Sequence, residues 1–155
     1  MLPRAYDSQH CSIAATLEIV GDRWTLLILR EASRGVTRFA DFQHTLGLAR
    51  TVLSDRLGRL TEHGVLERHR YQERPERFEY LLTSKGAELW PVLNALMTWG
   101  DKHIMADLPP VVVRHNDCGG SIDSHRICRT CHSPVELHDV YREPGPGALP
   151  VPGRG

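Results

Sequence analysis

The chain has 155 residues, of which 41% are hydrophobic, and its 19 basic and 19 acidic side chains give a formal net charge of zero. This length suits one domain with a small appendage, and no apolar run approaches the roughly 18 residues that cross a bilayer. Residues 1–12 lack the apolar stretch of a secretory signal, so the composition excludes a membrane protein and indicates a soluble, cytoplasmic one.

The first part of the sequence predicts three helices. Residues 11–20 suit a short helix that Gly21 ends, and Asp22 can cap a second helix over residues 23–33, whose centre is almost entirely apolar. Residues 36–38 predict a short strand. The third helix runs from Phe39 to Leu46, because apolar residues recur there at i, i+3 and i+7.

A fourth helix is predicted at residues 50–63, and its two sides differ chemically. Leu53, Leu57 and Leu60 lie on one side, and at about 100° per residue the polar side chains lie broadly opposite. Gly58 falls on the open side, where a small residue permits close approach, and Gly64 ends the helix.

Two extended runs follow, at residues 65–71 and 78–83, joined by the loop QERPER. They predict a hairpin with a basic tip. Thr83 or Ser84 can then cap a long last helix over residues 85–105, and Pro91 should bend it or end its first segment. An apolar stripe runs along one side of this helix and consists of Leu89, Leu93, Leu96, Met97, Gly100 and Ile104.

This order of elements predicts a mainly α fold with a small β-hairpin wing, the winged helix-turn-helix. In such folds one helix enters the major groove and the hairpin follows the DNA backbone or minor groove. Residues 49–77 carry seven arginines and five acidic residues, a net charge of +2, and a local patch rather than the total charge selects a partner. The alternative is that residues 50–63 form an ordinary surface helix, and the neutral total predicts only modest non-specific affinity.

Three cysteines and a histidine cluster near the end of the chain, in HNDCGGSIDSHRICRTCH at residues 115–132. In a zinc ribbon two pairs of ligands, with two residues between the members of each pair, are joined by a short loop. Zinc takes four nitrogen or sulfur ligands in a tetrahedron. The predicted ligands of this structural Zn²⁺ are His115, Cys118, Cys128 and Cys131. His125 or His132 could replace the first histidine, and free thiols or a Cys128–Cys131 disulfide remain the alternatives to a metal.

Several segments appear in an order that is itself specific: Cys11, GDRWTLLILRE at 21–31, RFADFQ at 38–43, VLSDRLGRLTEHGVLER at 52–68, RPERFEYLLTSKG at 74–86 and PVLNALMTWG at 91–100. Together they resemble the HxlR family of bacterial winged-helix regulators. The resemblance implies a homodimeric transcriptional regulator that binds double-stranded DNA and pairs through its first and last helices, residues 1–20 and 85–105.

Two departures from the family pattern stand out. Ala49 occupies a position where the family usually has Ser or another capping residue, which removes a side-chain cap worth about 1 kcal/mol. The resemblance also ends near residue 105 and says nothing of the last 50 residues.

Nine side chains are the candidates for DNA contact. Five are expected at the major groove, namely Arg50, Thr51, Ser54, Asp55 and Arg59. Four arginines are expected at the phosphates from the wing, namely Arg68, Arg70, Arg74 and Arg77. Arg56 lies nearer the buried edge of its helix, and a salt bridge and a phosphate contact are equally open for it.

Cys11 is a candidate redox sensor. It lies near a helix start beside His10, and a thiol in such a position can be reactive, although cysteine is also one of the most buried residue types. A small-molecule or oxidant effector is a possible input. The sequence has no phosphate-binding loop and no nucleophile–base pair at recognisable spacing, which predicts a protein that is not an enzyme.

Three segments are expected: a DNA-binding and dimerisation domain at 1–108, a zinc-ribbon-like tail at 109–143 and a disordered Pro/Gly-rich end at 144–155. The sequence favours a DNA-binding transcriptional regulator, which is expected to be a repressor. The alternative is a winged-helix interaction module that no longer reads DNA.

Overall fold

The computed structural model describes residues 11–106 and 108–149, which divide into two compact units between Glu88 and Leu89. The first unit contains α1 (Ser12–Val20), α2 (Arg23–Ala32), α3 (Phe39–Leu46), α4 (Arg50–Glu62), β1 (Leu66–Glu73), β2 (Glu76–Leu82) and α5 (Ser84–Ala87). The second contains α6 (Trp90–His103), β3 (Val111–His115), a 3₁₀ turn (Leu137–Asp139) and β4 (Val140–Pro144). The predicted fold class, helices with a small antiparallel wing, is confirmed.

The core of the first unit is where the helical periodicity placed it. The apolar side chains of α2, α3 and α4 meet there, and those that are almost completely buried are Ile28, Leu29, Phe42, Leu53, Leu57 and Leu60. Asp22 caps α2 as predicted, since its Oδ1 accepts hydrogen bonds from the backbone N–H groups of Trp24 and Thr25, both at 3.1 Å.

The hairpin is longer than the sequence predicted. Residues assigned to the loop pair across the two strands, Gln72 with Arg77 and Glu73 with Glu76, so the turn contains only Arg74 and the cis-linked Pro75. The register shifts between Arg70 and Gln72. The short strand predicted at residues 36–38 is reduced to an isolated bridge between Arg38 and Glu79, and the Thr37 carbonyl accepts from the N–H of Tyr80 on β2 at 2.7 Å.

The last long helix is two helices rather than one. Thr83 caps α5 through a hydrogen bond from the N–H of Gly86 to its hydroxyl, and the helix ends at Ala87. Pro91 then lies in the first turn of α6, where its missing N–H costs no helical hydrogen bond. The predicted effect of Pro91, to end a first segment, is therefore seen.

In the second unit α6 packs against the C-terminal segment, and this explains why the units divide at residue 88 rather than at 108. Its buried cluster contains Trp90 from α6 together with Val113, Cys128 and Val135. Strands β3 and β4 pair antiparallel from Val111–Pro144 to His115–Val140.

Part of the segment predicted to be disordered, residues 144–155, is described in the structure. Residues 144–149 are described, and the N–H groups of Gly145 and Gly147 donate to the carbonyls of Pro110 and Pro109. These backbone hydrogen bonds are the physical reason for the difference, and residues 150–155 lie outside the described part of the chain. None of the helices within the described residues has both the length and the apolar character needed to cross a membrane.

Candidate nucleic-acid interface and metal site

The open side of α4 carries the five side chains predicted to meet the major groove. They line a shallow surface groove of about 590 Å³ together with Gly58 and Glu62, the full set being Arg50, Thr51, Ser54, Asp55, Gly58, Arg59 and Glu62. A Cβ added at Gly58 would meet no atom within 4 Å, so this position faces open space. The sequence thus located one continuous polar face, with Leu53, Leu57 and Leu60 buried behind it.

The first turn of α4 has no side-chain cap. Ala49 is extended, with φ −60° and ψ 139°, and it accepts no cap hydrogen bond through its side chain. The guanidinium of Arg50 lies 5.1 Å from the ring centre of Phe39, which holds this arginine at the start of the helix by a cation–π contact. The uncapped N–H groups of the first turn are available to an anion, because helix N-termini favour negative charge.

Arg56 forms salt bridges rather than standing free for a phosphate. Its Nε lies 3.2 Å from Asp22 Oδ1 and its Nη1 lies 2.6 Å from Asp55 Oδ2. Burial alone would raise the pKa of Asp22, but hydrogen bonds from Thr25 and Trp24 and the charge of Arg56 outweigh it and lower that pKa. The N-terminus of α2 is therefore tied to α4 across 34 residues of sequence, a link that no local pattern in the sequence indicates.

Arg59 also has a partner within the protein. Its Nη2 donates to the backbone carbonyl of Glu18, near the end of α1, at 3.0 Å. The side chain is nevertheless exposed at the groove of α4. Sequence reasoning missed this contact because the two residues are 41 positions apart.

The four wing arginines fall into two groups. Arg68 lies 3.4 Å from the ring centre of Phe78, and Arg70 pairs with Glu76 at 3.3 Å. Arg74 and Arg77 are exposed at and beside the turn. By the strand register Arg68 and Arg70 share one face of the hairpin, and Arg77 on β2 lies on the other, so the wing presents cations on both faces.

The four predicted metal ligands lie together. The ligand atoms of His115, Cys118, Cys128 and Cys131 are all within 4.8 Å of one another. Cys118 Sγ is 3.4 Å from His115 Nδ1 and 3.3 Å from Cys128 Sγ, and Cys131 Sγ is 3.3 Å from the same Nδ1. These residues could hold a metal ion.

The two ligand pairs sit on matching turns. In the first, the N–H of Gly119 donates to the carbonyl of His115 at 2.8 Å, and in the second the N–H of His132 donates to the carbonyl of Cys128 at 2.9 Å. Gly119 and His132 both adopt left-handed backbone conformations, with φ 68° and 61°. The repeated turn aims both pairs of ligands at one point, as two metal-binding knuckles do.

Hydrogen bonds in the second turn stabilise the thiolates of Cys131 and Cys128. Hydrogen bonds from the Ser133 hydroxyl and N–H lower the pKa of Cys131 to about 6. Hydrogen bonds from the N–H groups of Cys131 and Thr130 lower the pKa of Cys128, although burial opposes them. Gly120 is required by space, since a Cβ there would lie 2.5 Å from Cys128 Sγ.

The other two histidines are not part of this cluster. His125 lies beside Ser124, its Nδ1 3.3 Å from the hydroxyl oxygen, and His132 is exposed in its turn. The structure therefore favours His115 as the fourth ligand, because it alone brings a ring nitrogen to the three sulfurs.

Cys11 is exposed at the residue before α1, in an extended conformation, and its side chain makes no cap hydrogen bond. Its exposure agrees with access to an oxidant. His10, expected beside it, lies outside the described residues.

The fold and this face of α4 define a winged helix-turn-helix protein. The chain matches the HxlR-like helix-turn-helix family over residues 19–108, and it belongs to that family. The predicted resemblance is confirmed.

Similar proteins carry names of transcriptional regulators. An uncharacterized HTH-type transcriptional regulator of Mycobacterium tuberculosis is 44% identical over 137 residues, which are 88% of this chain and 87% of that protein. The solved structure of PA1607, described as a candidate transcription factor, is 36% identical with a TM-score of 0.70 and covers 86% of this chain and 94% of its own. The redox regulator HypR in its oxidised form is 26% identical with a TM-score of 0.56, over 60% of this chain and 97% of its own.

These matches differ in what they cover. A match over 137 of 155 residues extends through the cysteine-rich segment of this chain, so the M. tuberculosis relative shares more than the helix-turn-helix region. The HypR match spans only 60% of this chain, close to the extent of the family match.

Proposed function

We propose that this protein is a homodimeric, sequence-specific DNA-binding repressor that reads the major groove with residues 50–63 and steadies itself with the wing at residues 65–83. One observation carries the proposal. Arg50, Thr51, Ser54, Asp55 and Arg59 share one open groove on a helix whose opposite side is buried in the core. Side chains of these types can reach base edges when such a helix enters the major groove.

The wing supplies contacts of another kind. Arg74 in its turn and Arg77 beside the turn are both exposed, and there they can reach phosphates, which carry no sequence information. Arg68 and Arg70 would have to leave Phe78 and Glu76 to do the same, so they are the weaker members of the proposed set.

Pairing of two copies is supported by exposed apolar side chains on the two helices that the family resemblance assigns to the dimer. On α1, Ile13 and Leu17 are 71% and 49% exposed, one turn apart. On α6, Val92, Leu96 and Trp99 follow at i, i+4 and i+7 and are about half exposed. A second copy that covers them would present two reading helices to half-sites about one helical turn apart.

The metal in the C-terminal knuckles is zinc in this proposal, and its role is structural. Zinc bonds of about 2.0–2.3 Å in a tetrahedron separate neighbouring ligand atoms by about 3.3–3.8 Å. The Sγ atoms of Cys118 and Cys131 lie 3.4 and 3.3 Å from His115 Nδ1, and the Sγ atoms of Cys118 and Cys128 are 3.3 Å apart. Four protein ligands leave no open position for a substrate. Cys128→Ser should lower the zinc content of the purified protein, and retained stoichiometric zinc would disprove the ligand set.

Thiol oxidation or a small ligand is the proposed gate of DNA affinity. Cys11 is exposed, and the similar protein HypR is named a redox regulator. An oxidant added to the DNA-binding assay, with Cys11→Ser as the control, tests this input. A loss of DNA affinity in the wild type but not in the variant supports Cys11 as the sensor, and an equal loss in both proteins means that another group responds to the oxidant.

The DNA experiment has two stages. Genomic fragments bound by the purified, reduced, zinc-loaded protein are selected first, and the DNA upstream of its own gene is included. The selected duplex and a scrambled duplex are then titrated at two salt concentrations. Tight, selective binding supports the proposal, and a promoter repressed in a transcription assay supports its direction. Equal weak binding to every duplex would refute it.

One group of contacts favours the alternative, an interaction module that does not read DNA. Arg56, Arg59, Arg68 and Arg70 are all engaged within the protein, and the total charge is zero. The selection experiment separates the two functions directly, because such a module would enrich no sequence.

A further inference from the structure

Helix α6 has two apolar sides with different surroundings. Trp90, Asn94 and Met97, at i, i+4 and i+7, belong to the side that packs on the C-terminal segment, and Trp90 is only 4% exposed. Val92, Leu96 and Trp99 have the same spacing on the other side and are 44%, 52% and 59% exposed. Trp99 lies at the edge of this side, since it also lines a groove with residues 122–124 of the C-terminal segment. The helix therefore separates the C-terminal segment from the surface proposed for pairing.

The inner side of α6 meets the metal site through a shared core. Trp90 lies in one buried cluster with Val113, Val135 and Cys128, and Cys128 is itself one of the four metal ligands. Cys128 is fully buried. The same side chain thus contributes to the packing under α6 and to the metal site, so a displacement of its sulfur disturbs both.

A buried hydrogen bond provides a second connection. Asn94, 2% exposed, donates from Nδ2 to the backbone carbonyl of Asp123 at 3.0 Å. The carboxylate of Asp123 accepts from the N–H groups of His125 and Ile127 at 2.9 and 2.8 Å. These residues form the loop that joins the two knuckles, and α6 is tied to that loop.

The segment that supports α6 has a small core. Among the described residues that follow α6, the buried hydrophobic ones are Val113, Cys128 and Val135, and no others. The span from the start of β3 to the end of β4, residues 111–144, is 34 residues long. Segments below about 40 residues usually need a metal, a disulfide or a partner to stay folded, and metal-binding free energy then becomes folding free energy.

We propose that the metal ion controls pairing: the bound ion fixes the C-terminal segment, which holds α6 with its outer side ready for a second copy, and Trp90 and Asn94 are the positioning residues that transmit this. The inference rests on the proposed dimeric, DNA-binding function. Loss of the ion lowers dimer affinity, and through it the affinity for paired half-sites, because two linked reading helices bind far more tightly than one.

The test compares the full-length protein with zinc, after removal of zinc by a chelator, and after zinc is restored. Sedimentation measures the dimer dissociation constant, and a titration of the selected duplex measures DNA affinity. Removal of zinc should raise the dimer dissociation constant about 5–150-fold, the usual range of coupling between two sites, and restored zinc should reverse this. A dimer of equal affinity with and without zinc would overturn the inference, whatever the DNA result.

A pair of variants tests the route. Asn94→Ala leaves all four ligands in place, and it should retain zinc while raising the dimer dissociation constant about two- to tenfold, the factor expected for one buried hydrogen bond. Ser124→Ala, next to Asp123, is the matched control and should behave as the wild type, because its hydroxyl lies 3.3 Å from His125 Nδ1 and not in the Asn94–Asp123 hydrogen bond. Equal dimer affinity in Asn94→Ala and Ser124→Ala, with zinc bound, would remove Asn94 from the route.

The same measurements separate this inference from the proposed function. If the zinc-loaded wild type pairs and binds DNA, and zinc removal changes neither, the function stands and the inference fails. If the wild type forms a dimer only when zinc is bound, and the zinc-bound dimer enriches no DNA sequence, the metal control of pairing stands and the proposed DNA-binding function fails.

Discussion

Replacement of Asp22 tests whether α4 is held by the start of α2. Asp22 has two separable tasks: it caps α2 by accepting from Trp24 and Thr25, and it pairs with Arg56 of α4 at 3.2 Å. Asp22→Ala removes both, whereas Asp22→Asn keeps an oxygen that can cap the N–H groups of α2 and removes the charge, together with the oxygen that accepts from the Thr25 hydroxyl. A comparison of the two variants therefore separates the contribution of the cap to the free energy of unfolding from that of the ion pair.

The expected magnitudes follow from the environment. Loss of the cap costs about 1 kcal/mol. The ion pair is partly exposed, with 24% and 35% of the two side chains accessible, and solvent screening limits it to about 0–1 kcal/mol. Asp22→Ala should therefore lower the free energy of unfolding by about 1–2 kcal/mol, and Asp22→Asn by less than about 1 kcal/mol.

Urea unfolding followed by far-UV circular dichroism, at pH 7, 5 and 3, measures both effects. The folded-state pKa of Asp22 is lowered below its ordinary value of 3.8, so the stability it contributes is present above that value and is lost as the pH falls through the lower folded-state pKa. The advantage of the wild type over Asp22→Asn should be constant from pH 7 to 5 and shrink towards pH 3. Equal destabilisation by Asn and Ala at pH 7 would refute the division between cap and ion pair.

Arg59→Ala should weaken binding to the selected duplex by about 1–3 kcal/mol and relax the preference at one base position in a randomised-site selection; an unchanged preference would remove Arg59 from base reading. Replacing Arg74 and Arg77 together with Ala removes four cations from the proposed dimer, so it should weaken binding to every duplex and reduce the slope of log affinity against log salt by up to about four, and an unaltered slope would mean that neither touches phosphate. Gly120→Ala should lower zinc affinity in competition with a chromogenic chelator, because its Cβ would lie 2.5 Å from Cys128 Sγ; wild-type affinity would show that the turn can adjust.

The helical part of the fold could be predicted because its determinants are local. Apolar residues repeat along α3 and α4, Asp22 precedes α2, and Gly64 follows α4 with φ 67°. The length of the hairpin could not be predicted, since Gln72 and Glu73 are polar residues that enter the strand only because the opposite chain pairs with them.

The candidate sites show the same division between local and distant determinants. The spacing of the two ligand pairs predicted the metal cluster, because each pair is formed by one short turn. Which histidine joins the three sulfurs depends on the folded chain, which brings His115 to them rather than His125 or His132. The partners of Arg56 and Arg59 lie 34 and 41 residues away, and contacts at that distance leave no pattern in a single sequence.

The metal site has an interior side and a solvent side. His115 and Cys128 are buried, whereas Cys118 and Cys131 are exposed, so each knuckle contributes one ligand to each side. Alkylating reagents should therefore modify Cys118 and Cys131 before Cys128 for as long as this segment stays folded. A bound ion would be held from the interior by His115 and Cys128 and from the solvent side by Cys118 and Cys131, so the two exposed sulfurs are the ones that a chelator in solution can approach directly.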